Sequence, residues 1–273
     1  MKKVVIAFDG NHFSEGAFEF VRRLNELQPI LLTGVFLSDA RSADFWNYAG
    51  GLGGPFLPVI ENNETEVLKQ ITARFEKLCC RNGIDYRVHT DINALAIPEL
   101  EKESTYADLL VIGSEKFYEN IGANSPNEYL QGVLNSVGCP LLLVPEKFDF
   151  PESIVLAFDG SRQSVYAIKQ FACLFPELTG MPTLLVYVNE SMEEDFPDKV
   201  LIEELVARHF SDLAMFKLRI NPKKYFSTWI SDKKSSLLVS GAYGRSGLSQ
   251  LLKKSFVSDV ITMHQMPVFI AHQ

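Results

Sequence analysis

The chain has 273 residues, 47% hydrophobic and 22% charged, with a formal net charge of −8 and a pI near 5.2. That length suits two domains of roughly 100–200 residues, and its longest apolar runs, such as Leu141 to Val144, fall far short of the roughly 18 residues of a bilayer span. The acidic balance argues against a general nucleic-acid binder, which neutralises phosphates over a broad basic face.

The opening MKKVVIAFDG holds two lysines and a short apolar run, but Asp9 interrupts it and no small-residue cleavage site follows. It therefore reads as a buried first strand, Lys3–Phe8, and not as a signal peptide. Asn11 stands where an N-cap belongs, ahead of a predicted helix at Ser14–Asn25. A second strand is predicted at Ile30–Leu37. The Gly- and Pro-rich WNYAGGLGGPFLP, Trp46 to Pro58, reads as a surface insertion. Asp39, Asp44, Glu61 and Glu64 flank it as a solvated rim, and Trp46 and Tyr48 either pack the loop or cover a pocket or partner. A helix over Glu64–Arg81 carries Cys79 and Cys80. With Cys139 and Cys173 they show neither CxxC nor framework spacing, which implies free thiols in a reducing, hence cytoplasmic, compartment. Strands at Tyr86–Thr90, Leu109–Gly113 and Pro140–Val144, with helices at Ala94–Glu103 and Asn127–Asn135, complete the first half. KFDFP, Lys147 to Pro151, is the linker. Five further strands follow, at Ile154–Phe158, Thr183–Val188, Ala214–Arg219, Leu237–Gly241 and Val268–Ala271, and Ser161 is placed to cap the first helix among them.

The halves repeat. VVIAFDGN, from Val4, returns as IVLAFDGS, from Ile154; LLVIGSEK, from Leu109, returns as LLVSGAYG, from Leu237; GCPLLLVP, from Gly138, returns as QMPVFIAH, from Gln265. Asp9 lies 104 residues before Gly113, but Asp159 only 82 before Gly241. The excess falls largely in the insertion. Short, nearly continuous apolar strands alternating with helices imply parallel sheets covered on both faces. The expected fold is thus α/β: two tandem doubly wound, five-stranded, Rossmann-like domains, at 1–146 and 152–273. Ligands of such sheets bind beyond the carboxyl ends of the strands, where strand order reverses. Here the loops after strands one and four reach that point. In the second half these carry Asp159 and the run from Gly241 to Gly247, followed by Lys253, Lys254 and Ser255. Glycines admit an anion to backbone amides, and Arg245, Lys253 and Lys254 add positive charge. Gly241, Gly244 and Gly247 stand three apart, so this is neither GxGxxG nor GxxxxGK[ST], and by spacing alone a plain turn remains open.

The segment LLVSGAYGRSGLSQLLKKSFVSDVITMHQMPVFIAH resembles the carboxyl-terminal signature of the universal stress protein family, and IVLAFDGS resembles its opening strand and aspartate. The family's ATP-binding branch carries Gly, two residues, Gly, nine residues, then Gly and Ser or Thr. Gly241, Gly244 and Ser255 match, while Lys254 replaces the third glycine; its ammonium either pairs with a phosphate or obstructs it. The resemblance implies a cofactor-binding set of Asp159, Gly160, Val188, Gly241, Gly244, Arg245, Gly247, Lys254 and Ser255. Asp159 and Val188 would serve adenine and ribose, and Gly241, Gly244 and Ser255 the phosphates. It further implies ATP or a related adenine nucleotide, with or without Mg, in a stress-response sensor or regulator. No catalytic residue or metal ligand is assigned, and any ATP hydrolysis would be slow.

The first half departs from that pattern. It reads Gly113-Ser-Glu-Lys116, with Asn127-Glu128 at the Gly-Ser position, and Glu115, Glu119 and Glu128 would repel a phosphate. It reads as a degenerate partner. His89, His209, His264 and His272 lack metal-ligand spacing, and His12 follows strand one with no visible nucleophile beside it. The expected partners are an adenine nucleotide and, through the last strands Leu141–Val144 and Val268–Ala271, the other half of the same chain as an intrachain pseudo-dimer. A further homodimer is open, but no nucleic acid or membrane is expected. The alternative reading is an interaction scaffold with both loops degenerate. An adenylyl transferase would be expected to carry a Gly- and Ser-rich loop after strand one, which FDGNHFSE and FDGSRQSV do not supply.

Overall fold

The computed structural model describes residues 1–37, 62–91, 96–115, 117, 132–134, 136–188, 195–219, 222–233, 235–241, 260–261 and 263–271. The chain divides into two compact units, Met1–Cys139 and Pro140–Gln273.

The first unit runs β1 (Lys2–Phe8), α1 (Glu15–Leu27), β2 (Ile30–Leu37), α2 (Asn62–Arg81), β3 (Asp85–Asp91), α3 (Ala96–Thr105) and β4 (Leu109–Gly113). Its strands are parallel, in the order β3-β2-β1-β4. Val4 to Phe8 and all of β4 are buried, as expected of parallel strands covered on both faces. Helix α1 buries Ala17, Phe18, Phe20, Val21 and Leu24 on one stripe and turns Arg22 and Arg23 toward Glu19. Order reverses at β1, which lies between β2 and β4, so the carboxyl ends of β1 and β4 form the switch point.

The second unit runs β5 (Leu141–Val144), β6 (Ser153–Phe158), α4 (Arg162–Leu174), β7 (Thr183–Val188), α5 (Lys199–His209), β8 (Leu213–Leu218), α6 (Pro222–Ser231), β9 (Ser236–Gly241) and β10 (Val268–Ala271). The strand order is β5-β10-β9-β6-β7-β8. Its last five are mutually parallel. β5, the last strand of the first repeat, pairs antiparallel with β10, placing Leu142 opposite Phe269. The expected pairing of the two last strands is therefore present, and it gives an apolar edge a partner. Phe269 is fully buried and packs edge-on against Phe171 and Phe175 of the α4 region, at 5.4 and 5.8 Å. The second switch point lies at the carboxyl ends of β6 and β9.

One cap departs from expectation. Asn11 does not cap α1; Ser14 does, its Oγ accepting from the Ala17 amide at 3.3 Å. The Asn11 amide instead donates to Asp9 Oδ1 at 3.0 Å. Phe13 is buried and stacks on Phe8 at 4.9 Å, and α1 begins at Glu15, one residue after its predicted start. Ser161 caps α4 as expected, its Oγ accepting from the Ser164 amide at 3.2 Å. The insertion with Trp46 and Tyr48, and most of the predicted helix at 127–135, lie outside the described residues.

Candidate functional site

Both repeats turn out of their first strand on Asp-Gly, and the backbone geometry is shared. Gly10 and Gly160 each have φ of 80°, a left-handed conformation that glycine adopts without penalty. In each, the aspartate closes the turn by accepting the amide two residues on: Asn11 to Asp9 Oδ1 at 3.0 Å, Ser161 to Asp159 Oδ1 at 2.9 Å. Aspartate is chosen partly for this local bond.

Beyond that bond the repeats diverge. In the second, Asp159 is exposed, and its Oδ2 has no partner among the described residues. Pro197, just ahead of α5, lies across the turn. A Cβ on Gly160 would come within 2.8 Å of the Pro197 ring, so the glycine serves both the turn and the close approach. Phe196 packs on Tyr187 at 5.5 Å, and Tyr187 on Phe158 at 6.3 Å. An apolar wall thus stands beside an open carboxylate. Val188 ends β7, in register with Leu218. Gly241 ends β9, where a Cβ would meet the Gln163 carbonyl carbon at 2.5 Å and the Ser164 amide at 2.6 Å. Its bare backbone lets the first turn of α4 lie against the end of β9. Asp159, Gly160 and Gly241 are therefore brought to one switch point, with Arg162 exposed at the first position of α4. Gly244, Arg245, Gly247, Lys253, Lys254 and Ser255 lie outside the described residues. Phe196 and Pro197 escaped sequence reasoning. Their signal, FPDK ahead of a helix, has no repeat counterpart to flag it.

In the first repeat, Asp9 is 4% exposed. Oδ1 also accepts the His12 amide at 2.8 Å, and Oδ2 bonds His12 Nδ1 at 3.0 Å. Ala7, Phe8, Asp9, His12, Ser14, Gly113 and Phe117 line a small, water-sized hollow. Glu115, half-buried, follows β4. The sequence placed His12 near this switch point without its bond to Asp9. Elsewhere His89 Nδ1 lies 2.6 Å from Glu103 Oε1, tying β3 to α3. Among the described residues no group of three metal-ligating side chains occurs, and no helix is long and apolar enough to cross a membrane.

No family model matches the chain. In sequence it is 22% identical to universal stress protein Slr1230 of Synechocystis sp., over 98% of this chain and 99% of that one. In structure it is similar to a universal stress protein from Archaeoglobus fulgidus, with a TM-score of 0.70 at 14% identity, covering 100% of this chain and 96% of that chain. It is also similar to PA1789 of Pseudomonas aeruginosa, a protein of unknown function, with a TM-score of 0.59 at 10% identity over 100% and 92%. At these identities the solved structures share the fold alone. The likeness spans both repeats.

Proposed function

We propose that this chain, which has the full-length sequence likeness and the tandem fold of the universal stress proteins, acts in a stress response as a cytoplasmic sensor or regulator that binds an adenine nucleotide in its second repeat. The observation that carries this reading is the contrast between the two aspartates. One turn occurs twice, yet Asp9 is buried with both oxygens engaged, while Asp159 is exposed with one oxygen open. An open carboxylate at a switch point suits a ribose hydroxyl or the adenine amino group. The wall of Phe158, Tyr187, Phe196 and Pro197 suits a flat purine, since ligand sites pair apolar walls with a few convergent polar groups. Gly241, Gly244, Arg245, Gly247, Lys254 and Ser255 are assigned to the phosphates on the strength of the sequence resemblance. The reading is of binding, with ATP and with or without Mg, and assigns no turnover.

Calorimetric titration with ATP tests it on the native chain and on Asp159→Asn, Gly244→Val and Lys116→Ala. Loss of a hydrogen bond to a charged group costs about 1.5–3 kcal/mol, so Asp159→Asn is expected to weaken binding roughly ten- to a hundredfold. Gly244→Val is expected to abolish it and Lys116→Ala to leave it intact. No binding by the native chain would favour the scaffold reading instead.

A further inference from the structure

The third strands of the two repeats, β3 and β8, each stand at the outer edge of their own unit's sheet. They are built differently. β3 reads DYRVHTD and exposes Asp85, Arg87 and His89, side chains of the kind that keep a free edge from pairing. β8 reads LAMFKL and exposes Ala214 and Phe216, the latter by 46%. Its one charge, Lys217, attracts the Asp195 carboxylate. Among the described residues no strand lies beyond β8, and an apolar strand at an open edge is a template for another.

The backbone settles which residues would meet that strand. Thr183 stands opposite Leu213, and its amide donates to the Asp212 carbonyl at 2.7 Å. In a parallel ladder alternate residues point both backbone groups at the same neighbour. Ala214 and Phe216 therefore bond toward β7, while Leu213 and Met215 turn their amides and carbonyls outward. The charges at the ends of the strand choose the occupant. Asp212 and Arg219 flank β8, both are exposed, and neither has an ion-pair partner among the described residues.

We propose that β8 is a self-association edge, through which two copies of this chain pair antiparallel about a two-fold axis at Met215. Met215 then faces Met215 of the second copy as a closely hydrogen-bonded pair, exchanging two main-chain bonds. Ala214 of each copy lies beside Phe216 of the other, a small side chain against a large one. The Asp212 end of each strand meets the Arg219 end of the other, so opposite charges come together twice. A parallel approach would instead set like against like.

The experiment is sedimentation velocity of the full chain at concentrations up to about 1 mM, where a contact as short as one strand is read. It compares the native chain with Phe216→Lys, with Arg219→Asp, and with Asp212→Arg combined with Arg219→Asp, each checked for folding by circular dichroism. The native chain should form a reversible dimer. Phe216→Lys and Arg219→Asp should each weaken it roughly tenfold, because every change occurs twice across the axis and facing like charges repel. Exchanging both charges should restore the native dissociation constant, which a merely structural role of Arg219 would not do. If Phe216→Lys folds poorly, Phe216→Thr takes its place. A native chain that stays monomeric throughout overturns the proposal. So does a dimer that a folded Phe216 variant leaves unchanged, or a charge exchange that binds no tighter than Arg219→Asp alone.

Discussion

Cys79 and Cys139 are buried, and desolvation pushes each thiol up to about 12, whereas Cys80 and Cys173 are exposed. The thiolate is the reactive form, so brief alkylation of the native chain at neutral pH should label Cys80 and Cys173 only. Mass spectrometry after labelling in denaturant should find all four. Prompt labelling of Cys79 or Cys139 in the folded protein would contradict the packing described. Gly241 offers a second residue-scale check. The resemblance gives it a phosphate role, but its contact with the first turn of α4 supplies a structural reason for glycine that no ligand requires. Gly241→Ala should therefore destabilise the unliganded protein by about 1–3 kcal/mol, the usual cost of overpacking, read as a lowered urea midpoint. An unchanged midpoint would show that the α4 backbone is not so close. Residue identity alone did not reveal this, because a glycine beside a strand end reads alike whether it admits a helix or an anion. The same limit explains Asn11: a good capping residue was in place, but Phe13 packs on Phe8 and the helix begins only after Ser14, which caps it instead.

At the scale of elements, the strands were most legible where apolar runs are unbroken. The reading of Ile30–Leu37, Leu109–Gly113, Thr183–Val188 and Val268–Ala271 matches β2, β4, β7 and β10 to the residue. Polar strands were trimmed instead. β3 extends to Asp85 and Asp91, since backbone pairing with β2 holds charged ends that hydrophobicity cannot announce. Helix α1 adds an electrostatic prediction. The Arg22 side chain, bonded to both Glu19 oxygens at 2.6 Å, and to a lesser degree Arg23, hold the Glu19 carboxyl below its ordinary value of 4.5 against partial desolvation. A depressed carboxyl contributes stability that is present above its unfolded pKa and lost as pH falls through its folded one. Glu19 is 44% exposed, so solvent limits the effect to at most about 1 kcal/mol. Glu19→Gln should lower stability by up to that amount at pH 7, and native and variant urea curves should converge as pH falls well below 4.5. A difference that persisted or grew in acid would reverse the assigned sign.

For the whole molecule, the tandem organisation was open to inspection because one motif, AFDG, recurs with its partners in the same order. KFDFP marks a linker by composition, and the compact units part between Cys139 and Pro140, with β5 held by its expected pairing with β10. The structural difference between the two switch points was legible in part. The acidic loop of the first repeat could be read directly, but the capture of Asp9 by His12 needed the fold of the turn. That asymmetry is the central claim, and the stoichiometry of ATP binding to the native chain tests it most directly. Calorimetry at protein concentrations well above Kd should saturate at one equivalent per chain; saturation at two equivalent sites would contradict the account.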